Sequence, residues 1–197
     1  MEAEFDINFI KGIFEKTGAI MKGHFKLSSG LHSDTYIQCA RVSVYPEFNF
    51  ILSNIITKKF KKENIDAVIG PALGGIIIAY EIAKQLCAKA LFAERDENKK
   101  MSLRRGFEIE KNWNLIVVED VITTGNSVRE VIEIVKKNNA NVVGVASFIN
   151  RSSLENEIDG IPLFSVLKIE APVWEPDSCP LCQKNIPIIA PGSKYLK

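Results

Sequence analysis

From residue 66 onward, short apolar runs alternate with segments of helical periodicity, and this alternation limits the fold more than any other feature of the chain. Runs at 66–70, 90–94, 114–121, 141–149 and 161–169 have the length of strands, and segments 76–88 and 128–137 have the spacing of helices. Strands that are apolar on both faces are typical of parallel sheets covered by helices. The pattern therefore predicts an α/β protein with a mainly parallel sheet flanked by helices.

The remaining segments predict a less regular surround for this sheet. Residues 7–16 and 48–62 have helical spacing, and residues 35–39 resemble a strand. Loops are expected at 23–30, which is rich in small residues, and at 96–105, which is polar without periodicity, and a short strand is expected at 107–110. The segment after residue 169 holds five of the eight prolines and predicts an irregular C-terminal extension.

The overall charge bears on which partners the chain could bind. Its 197 residues carry 25 basic and 24 acidic side chains, a formal net charge of +1. That balance argues against a broad nucleic-acid-binding surface but leaves a local site for a small anion open. The N-terminus has no secretory signal, and the longest apolar runs are far short of the roughly 20 residues that span a membrane. We therefore expect one soluble, cytoplasmic domain over residues 1–197, with no membrane or nucleic-acid partner.

The segment with the clearest chemistry is LIVVEDVITTGNS, at residues 115–127. A buried strand here ends in Glu119 and Asp120, and a loop of hydroxyl residues and one glycine leads into a helix. A helix N-terminus suits a phosphate, whereas two carboxylates suit sugar hydroxyls or a metal ion. Hydroxyl residues alone could merely cap the helix, but capping explains the two acids less easily. The segment therefore predicts a site for a phosphorylated sugar.

Several motifs together resemble the type I phosphoribosyltransferase family. VVEDVITTGNS resembles its ribose-phosphate motif, and GHFKLSSGLHSDTYIQ is similar to the N-terminal signature of its orotate-specific members. VIGPALGGIIIA, AERDENKKMSLRRGF and FINRS fall where that family has its pyrophosphate loop, mobile loop and substrate arginine. The resemblance extends from the first helix to about Arg151, and the CPLC-containing tail is similar to that of one bacterial and archaeal subgroup.

The resemblance implies a role for each matching residue. Glu119 and Asp120 would hold the ribose hydroxyls of 5-phospho-α-D-ribose 1-diphosphate and, with Arg95 and Lys99, form the catalytic set. The residues implied to contact this sugar diphosphate are Glu119, Asp120, Val121, Ile122, Thr123, Thr124, Gly125, Asn126, Ser127, Arg95, Lys99, Ala72, Leu73, Gly74 and Gly75. In this group, residues 72–75 would bind the diphosphate through their backbone N–H groups. Those implied to bind orotate, beside the bordering segment 25–30, are Thr123, Arg151, Ser28, Ser29, Gly30, Tyr36 and Ile37.

The family also implies a fold, a reaction and an assembly. The expected type I fold has a core of about 46–169 and a small hood formed by about 1–45 and 170–197. Orotate would displace diphosphate to give orotidine 5′-phosphate, a step of pyrimidine biosynthesis, with Mg²⁺ carried by the diphosphate and no direct protein ligand to the metal. Members are homodimers in which the mobile loop, here 96–105, completes the partner's site. The alternatives are a purine-type phosphoribosyltransferase or a non-catalytic regulator that senses the same sugar diphosphate.

This chain departs from the family pattern at three places. Ser28 replaces a lysine of the N-terminal signature, and Leu73-Gly74 replaces the lysine or lysine pair of the pyrophosphate loop. The mobile loop lacks the family's histidine and a second basic residue, with Asp96 and Met101 at those positions. We therefore expect the loop cations to stabilise the leaving group, namely Lys99, Lys100, Arg104 and Arg105.

A cysteine pair and two histidines lie outside these motifs. Cys179 and Cys182 supply two ligands of the four that zinc requires, and we expect no nearby histidine to complete a site. Half of a metal site, a redox pair and a plain turn with two thiols are all possible readings, and we favour the turn. His24 and His32 flank a glycine-containing loop, where we favour a partner-bonded structural role over that of a general base.

Overall fold

A seven-stranded sheet forms the centre of the protein in a computed structural model that describes residues 6–27 and 29–191. The helices, in chain order, are α1 (Ile7–Lys16), α2 (Ala40–Ser43), α3 (Pro46–Phe60), α4 (Gly74–Leu86), α5 (Asn126–Lys137) and α6 (Pro180–Gln183). The strands are β1 (Ile20–Lys26), β2 (His32–Ile37), β3 (Ala67–Pro71), β4 (Lys89–Arg95), β5 (Met101–Leu103), β6 (Asn114–Ile122), β7 (Asn141–Asn150), β8 (Glu157–Ile158), β9 (Ile161–Lys168) and β10 (Val173–Trp174).

The strand order of the large sheet is β5-β4-β3-β6-β7-β9-β8. The five inner strands run parallel, and the short β5 and β8 pair antiparallel at the two edges. Fully buried apolar residues line both faces of the central strand β6, where Ile116 packs on the side of α3 and α4, and Val117 on the side of α5. The predicted α/β fold with a mainly parallel, helix-covered sheet is confirmed. No helix in the described ranges combines the length and apolarity needed to cross a bilayer.

A second, three-stranded sheet in the order β1-β2-β10 joins the N-terminal hairpin to the C-terminal segment. The Lys26 N–H donates to the Ile189 carbonyl at 2.9 Å, and the Ile189 N–H donates to the His24 carbonyl at 2.8 Å. The Ser33 hydroxyl donates to the Pro172 carbonyl at 2.7 Å. The tail is thus fastened to the hairpin by backbone hydrogen bonds and by the Ser33 side chain, although its own helices and strands are short.

Three local predictions are wrong. Residues 23–26, expected in a loop, belong to strand β1, because Phe25 packs into the interior while the strand pairs with β2. The expected loop 96–105 contains strand β5, which folds back on β4 and buries Met101. The strand expected at 107–110 is absent, and the Phe107 ring instead lies edge-on to the Phe92 ring at 5.0 Å.

The expectation that no histidine accompanies the cysteine pair is also wrong. The β1–β2 hairpin places His24 and His32 beside the start of α6, and the Nε2 atom of His24 lies 3.5 Å from the Sγ atom of Cys179. Backbone pairing of the tail with β1 and β2 causes this approach, which spans most of the chain.

Candidate active site

The carboxyl end of β6 carries the two adjacent acids. Four fully buried apolar residues precede them, and Glu119 and Asp120 then lie half-buried at the edge of the sheet where ligands bind in open α/β folds. The Asp120 carboxylate accepts the Val121 N–H at 2.7 Å, and the Glu119 carboxyl accepts the Asp120 N–H at 3.1 Å. Both side chains are therefore positioned by their own backbone before any ligand arrives.

The two carboxyl groups are electrostatically unequal. Burial, and then the negative charge of Asp120, raise the pKa of Glu119 to about 9. Glu119 consequently keeps its proton at neutral pH in the free protein. A neutral carboxyl beside a carboxylate provides one hydrogen-bond donor and several acceptors, which suits a pair of sugar hydroxyls.

The loop between β6 and α5 encloses a small concavity. Gly125 takes a left-handed conformation with φ of 79° and brings the chain into α5, whose first N–H groups lack partners within the helix. The cavity measures about 40 Å³ and is lined by Glu119, Val121, Ile122, Thr123, Thr124, Gly125, Asn126, Ser127 and Val128. Backbone donors around a cavity of this size at a helix N-terminus are suited to a phosphate group.

The turn between β3 and α4 closes against the same acids. A Cβ atom on Gly74 would lie 2.5 Å from Cγ of Asp120, and one on Gly75 would lie 2.9 Å from Cα of Gly70. Glycine is therefore required for this close approach. The N–H of Ala72 already donates to the Ala93 carbonyl at 2.7 Å, so this N–H is not available to a diphosphate as the resemblance had implied. The Leu73 side chain is 84% exposed beside the turn.

A larger cavity of about 530 Å³ lies between the two sheets. It is lined by Lys26, Leu27, Ser29, Leu31, Tyr36, Thr123, Thr124, Arg151, Ala171 and Val173. Of the residues implied to bind orotate, the structure brings Ser29, Tyr36, Thr123 and Arg151 here; Ile37 is buried in the core, Gly30 does not line the cavity, and Ser28 lies outside the described residues. The sequence did not predict that Leu31, Ala171 and Val173 line this cavity. Ala171 and Val173 could have been found only by predicting that β10 pairs with β2.

We call this space the cationic cavity, because the charged side chains that line it are basic. Lys26 and Arg151 line it, and no acid does so among the residues that the structure describes. Burial lowers the pKa of Arg151, because the guanidinium has lost part of its hydration. A desolvated guanidinium binds a carboxylate well, through paired, charge-assisted hydrogen bonds. The cavity is therefore suited to a flat anion.

The β4–β5 hairpin holds most of its cations in ion pairs. Arg95 donates to both carboxylate oxygens of Glu130 at 3.0 and 3.1 Å, and Arg105 pairs with Glu94 at 3.0 Å. The hydrogen bond from Arg105 lowers the pKa of Glu94. Lys99 is exposed, and its carbonyl accepts a hydrogen bond from Arg95 at 2.6 Å. The recorded contacts of Arg95 and Lys99 are thus with α5 and within the hairpin, and the structure does not bring either residue to the acid pair.

Comparison with known proteins agrees with this geometry. Residues 43–181 match the family model of the phosphoribosyl transferase domain. The chain is 52% identical over 185 residues to an orotate phosphoribosyltransferase of Caldanaerobacter subterraneus subsp. tengcongensis, covering 93% of this chain and 96% of the relative. It is 51% identical over 189 residues to an orotate phosphoribosyltransferase of Thermotoga maritima, covering 95% of this chain and 100% of the relative.

Solved structures extend the same agreement to the fold. The crystal structure of orotate phosphoribosyltransferase from Aeropyrum pernix superposes with a TM-score of 0.70 at 25% identity, covering 82% of this chain and 93% of that chain. Sequence, fold and site geometry together place the chain in one family. It belongs to the phosphoribosyltransferases, in the group of the orotate-specific enzymes.

Proposed function

We propose that this chain transfers the ribose 5-phosphate group from 5-phospho-α-D-ribose 1-diphosphate to orotate, giving orotidine 5′-phosphate and diphosphate. One observation carries this proposal: Thr123 and Thr124 line both the cationic cavity and the small cavity at the N-terminus of α5. An anionic base and a sugar phosphate would therefore lie side by side, as the two substrates of a transfer reaction must.

The two cavities assign a task to each group of side chains. Arg151 and Lys26 bind the orotate carboxylate and turn the ring so that a ring nitrogen faces the anomeric carbon. The new N–C bond forms as the C–O bond to diphosphate breaks, the ring nitrogen releases its proton to solvent, and positive charge develops on the ribose ring in the transition state. Glu119 and Asp120 hold the ribose hydroxyls, and the negative charge of Asp120 lies where that positive charge develops.

Magnesium fits the donors at this edge of the sheet. The acid pair adjoins the β3–α4 turn, since the Asp120 oxygens would lie 2.6 Å from a Cβ atom on Gly74. Carboxylate and phosphate oxygens are the hard ligands that Mg²⁺ prefers. We propose that the diphosphate would carry the ion without a direct protein ligand, with Glu119 and Asp120 beside it. Bound there, the ion neutralises charge on the leaving group.

We also propose a homodimer in which the hairpin residues 96–105 complete the partner's site. Leu73, Ile77 and Tyr80 support it, because they are exposed at 84%, 50% and 64% and follow a helical spacing on one side of α4. Lys99 and Lys100 at the hairpin tip would then provide the cations for the partner's diphosphate.

Mixing two inactive variants tests whether the hairpin acts in the partner's site. Asp120→Asn damages the acid pair, and the double variant Lys99→Ala with Lys100→Ala damages the hairpin tip. A mixed dimer then contains one intact site, so random reassociation should restore about a quarter of the wild-type activity. No restoration, with mixed dimers shown to form, would mean that the hairpin serves its own subunit.

Two further proposals concern organisation and location. We propose a core of about 46–169 and a hood of about 1–45 and 170–197, supported by the separate small sheet β1-β2-β10. We propose a cytoplasmic location, supported by four cysteines that form no disulfide.

The decisive assay measures the loss of orotate absorbance in the presence of the sugar diphosphate and Mg²⁺, and parallel reactions replace orotate with adenine, guanine or hypoxanthine. We expect turnover of orotate and of none of the three purines. Asp120→Asn should lower kcat by at least 100-fold with an unchanged melting temperature, whereas the exposed Glu133→Gln on α5 should leave the rate unchanged. Turnover of a purine would identify a purine-type enzyme, and binding of the sugar diphosphate without turnover would identify a regulator.

A further inference from the structure

A compact group of four side chains lies outside both substrate cavities. His24 comes from β1, His32 from β2, Cys179 from the residue before α6, and Cys182 from within α6. One nitrogen or sulfur atom from each lies within 4.8 Å of the other three. His24, His32 and Cys179 are buried, and Cys182 is half-buried. Four soft or borderline ligand atoms thus converge on one point in the protein interior.

Four of the six distances among these atoms are close to the edges of a metal tetrahedron, and the other two are at most 4.8 Å. His24 Nε2 lies 3.1 Å from His32 Nδ1, 3.5 Å from Cys179 Sγ and 3.7 Å from Cys182 Sγ, and Cys182 Sγ lies 3.3 Å from His32 Nδ1. Zinc bond lengths of about 2.0 Å to nitrogen and 2.3 Å to sulfur give tetrahedral edges of about 3.3 to 3.8 Å. The four side chains therefore already surround a space of the right size for one ion.

Hydrogen bonding within the group leaves it incompletely satisfied. His24 Nδ1 lies 2.7 Å from the Ile186 carbonyl, which only accepts, so Nδ1 carries the proton and neutral His24 presents a bare lone pair at Nε2. Three neighbouring atoms face that single lone pair, which can accept a well-aligned hydrogen bond from only one of them. A cation at the centre contacts all four atoms at once. A carbonyl that orients the outer nitrogen is also the usual second contact of a histidine bound to a metal.

We propose that His24, His32, Cys179 and Cys182 bind one structural Zn²⁺ ion. Two cysteines and two histidines in tetrahedral array are typical of zinc, and four protein ligands leave no open position for catalysis. On binding, each thiol releases its proton to solvent and each histidine binds through an unprotonated ring nitrogen, so two thiolate charges balance the ion. A two-iron cluster with the histidines on one iron and the cysteines on the other does not fit, because it would separate the nitrogen and sulfur ligands further.

The position of the site indicates what the ion would do. It joins the β1–β2 hairpin to the C-terminal segment, which is otherwise fastened mainly by backbone hydrogen bonds. Lys26 and Leu31 line the cationic cavity and lie within two residues of the histidine ligands. The ion would therefore hold the wall of the cationic cavity in place and take no part in the reaction itself.

Metal analysis of the intact protein tests the site directly. The chain is purified in reducing, chelator-free buffer from zinc-supplemented cells, and its zinc content is measured by plasma mass spectrometry. We expect one zinc ion per chain in the wild type and in Cys87→Ser, a control at an exposed cysteine remote from the group. The double variant Cys179→Ser with Cys182→Ser should lose the zinc. Wild-type protein without zinc, or full retention in the double variant, would overturn the proposal.

Cobalt substitution keeps the test valid if the double variant fails to fold. Wild-type protein reconstituted with Co²⁺ should show the visible bands of a tetrahedral site and the ultraviolet charge-transfer bands of bound thiolates. A pale octahedral spectrum without thiolate bands would refute the four-ligand site. Removal of zinc by a chelator should also lower the melting temperature of the wild type, and an unchanged melting temperature would refute its structural role.

Discussion

Replacing Glu119 by glutamine should stabilise the free protein, and the gain should grow with pH. The pKa of Glu119 is raised from 4.5 in the unfolded chain to about 9, chiefly by burial. The folded state therefore binds the proton more tightly, and the favourable contribution of the neutral carboxyl is lost as the pH rises from 4.5 towards 9. Glutamine resembles the protonated carboxyl but does not titrate, so Glu119→Gln keeps this favourable contribution at every pH in the window.

The magnitude follows from the slope of this linkage. Between pH 4.5 and 9, each pH unit lowers the unfolding free energy of the wild type by about 1.4 kcal/mol relative to that of Glu119→Gln. Between pH 6 and pH 8 the difference in unfolding free energy between the two proteins should therefore widen by about 3 kcal/mol. Contributions from all other titrating groups are common to both proteins and cancel in that difference.

Urea unfolding of both proteins at the two pH values provides the measurement, without substrate or Mg²⁺. Glu133→Gln is the matched control, because Glu133 is exposed on α5 and pairs with the exposed Lys137 at 3.4 Å. Its difference from the wild type should be the same at both pH values. An equally constant difference for Glu119→Gln would show that Glu119 is ionised in the folded protein, and the proposed hydrogen-bond donor to ribose would be lost.

Two more substitutions test the cavity walls. Arg151→Met should raise KM for orotate about thirtyfold, from loss of about 2 kcal/mol of charge-assisted hydrogen bonding, without changing KM for the sugar diphosphate; Arg41→Met, an exposed control, should change neither constant. Gly74→Ala should lower kcat about 100-fold, because the added methyl would lie 2.5 Å from Cγ of Asp120 and displace it. Gly12→Ala, where the methyl meets nothing within 4 Å, should leave kcat unchanged.

Local sequence patterns predicted the part of the site that is contiguous in the chain. The segment from β6 through α5 combines a buried strand, two terminal acids and a helix start, and each feature is visible within a few residues. The predicted strand 114–121 and helix 128–137 match β6 and α5 apart from their ends. The close approach of Gly74 to Asp120 was not visible in the same way, because it depends on the turn between two other elements.

The errors concern elements whose stability comes from distant partners. Strand β1 reads as a loop because glycine and polar residues interrupt its alternation, but pairing with β2 satisfies its backbone. The three residues of β5 are too few for any periodicity, and the hairpin with β4 determines their conformation. For His24 and Cys179 the separation is 155 residues, so no spacing rule could connect them.

The two halves of the proposed substrate site therefore depend on different levels of structure. The ribose-phosphate half is built within residues 119–127, where the local fold alone positions its donors. The base half is assembled from Lys26, Arg151 and Val173, and the pairing of β10 with β2 brings Val173 to the hairpin that carries Lys26. Loosening the tail should then weaken orotate binding while leaving the phosphate cradle intact. The proposed recognition of the base would thus depend on this attachment of the C-terminal segment to the hairpin, and the proposed zinc ion lies at the point where the two segments meet.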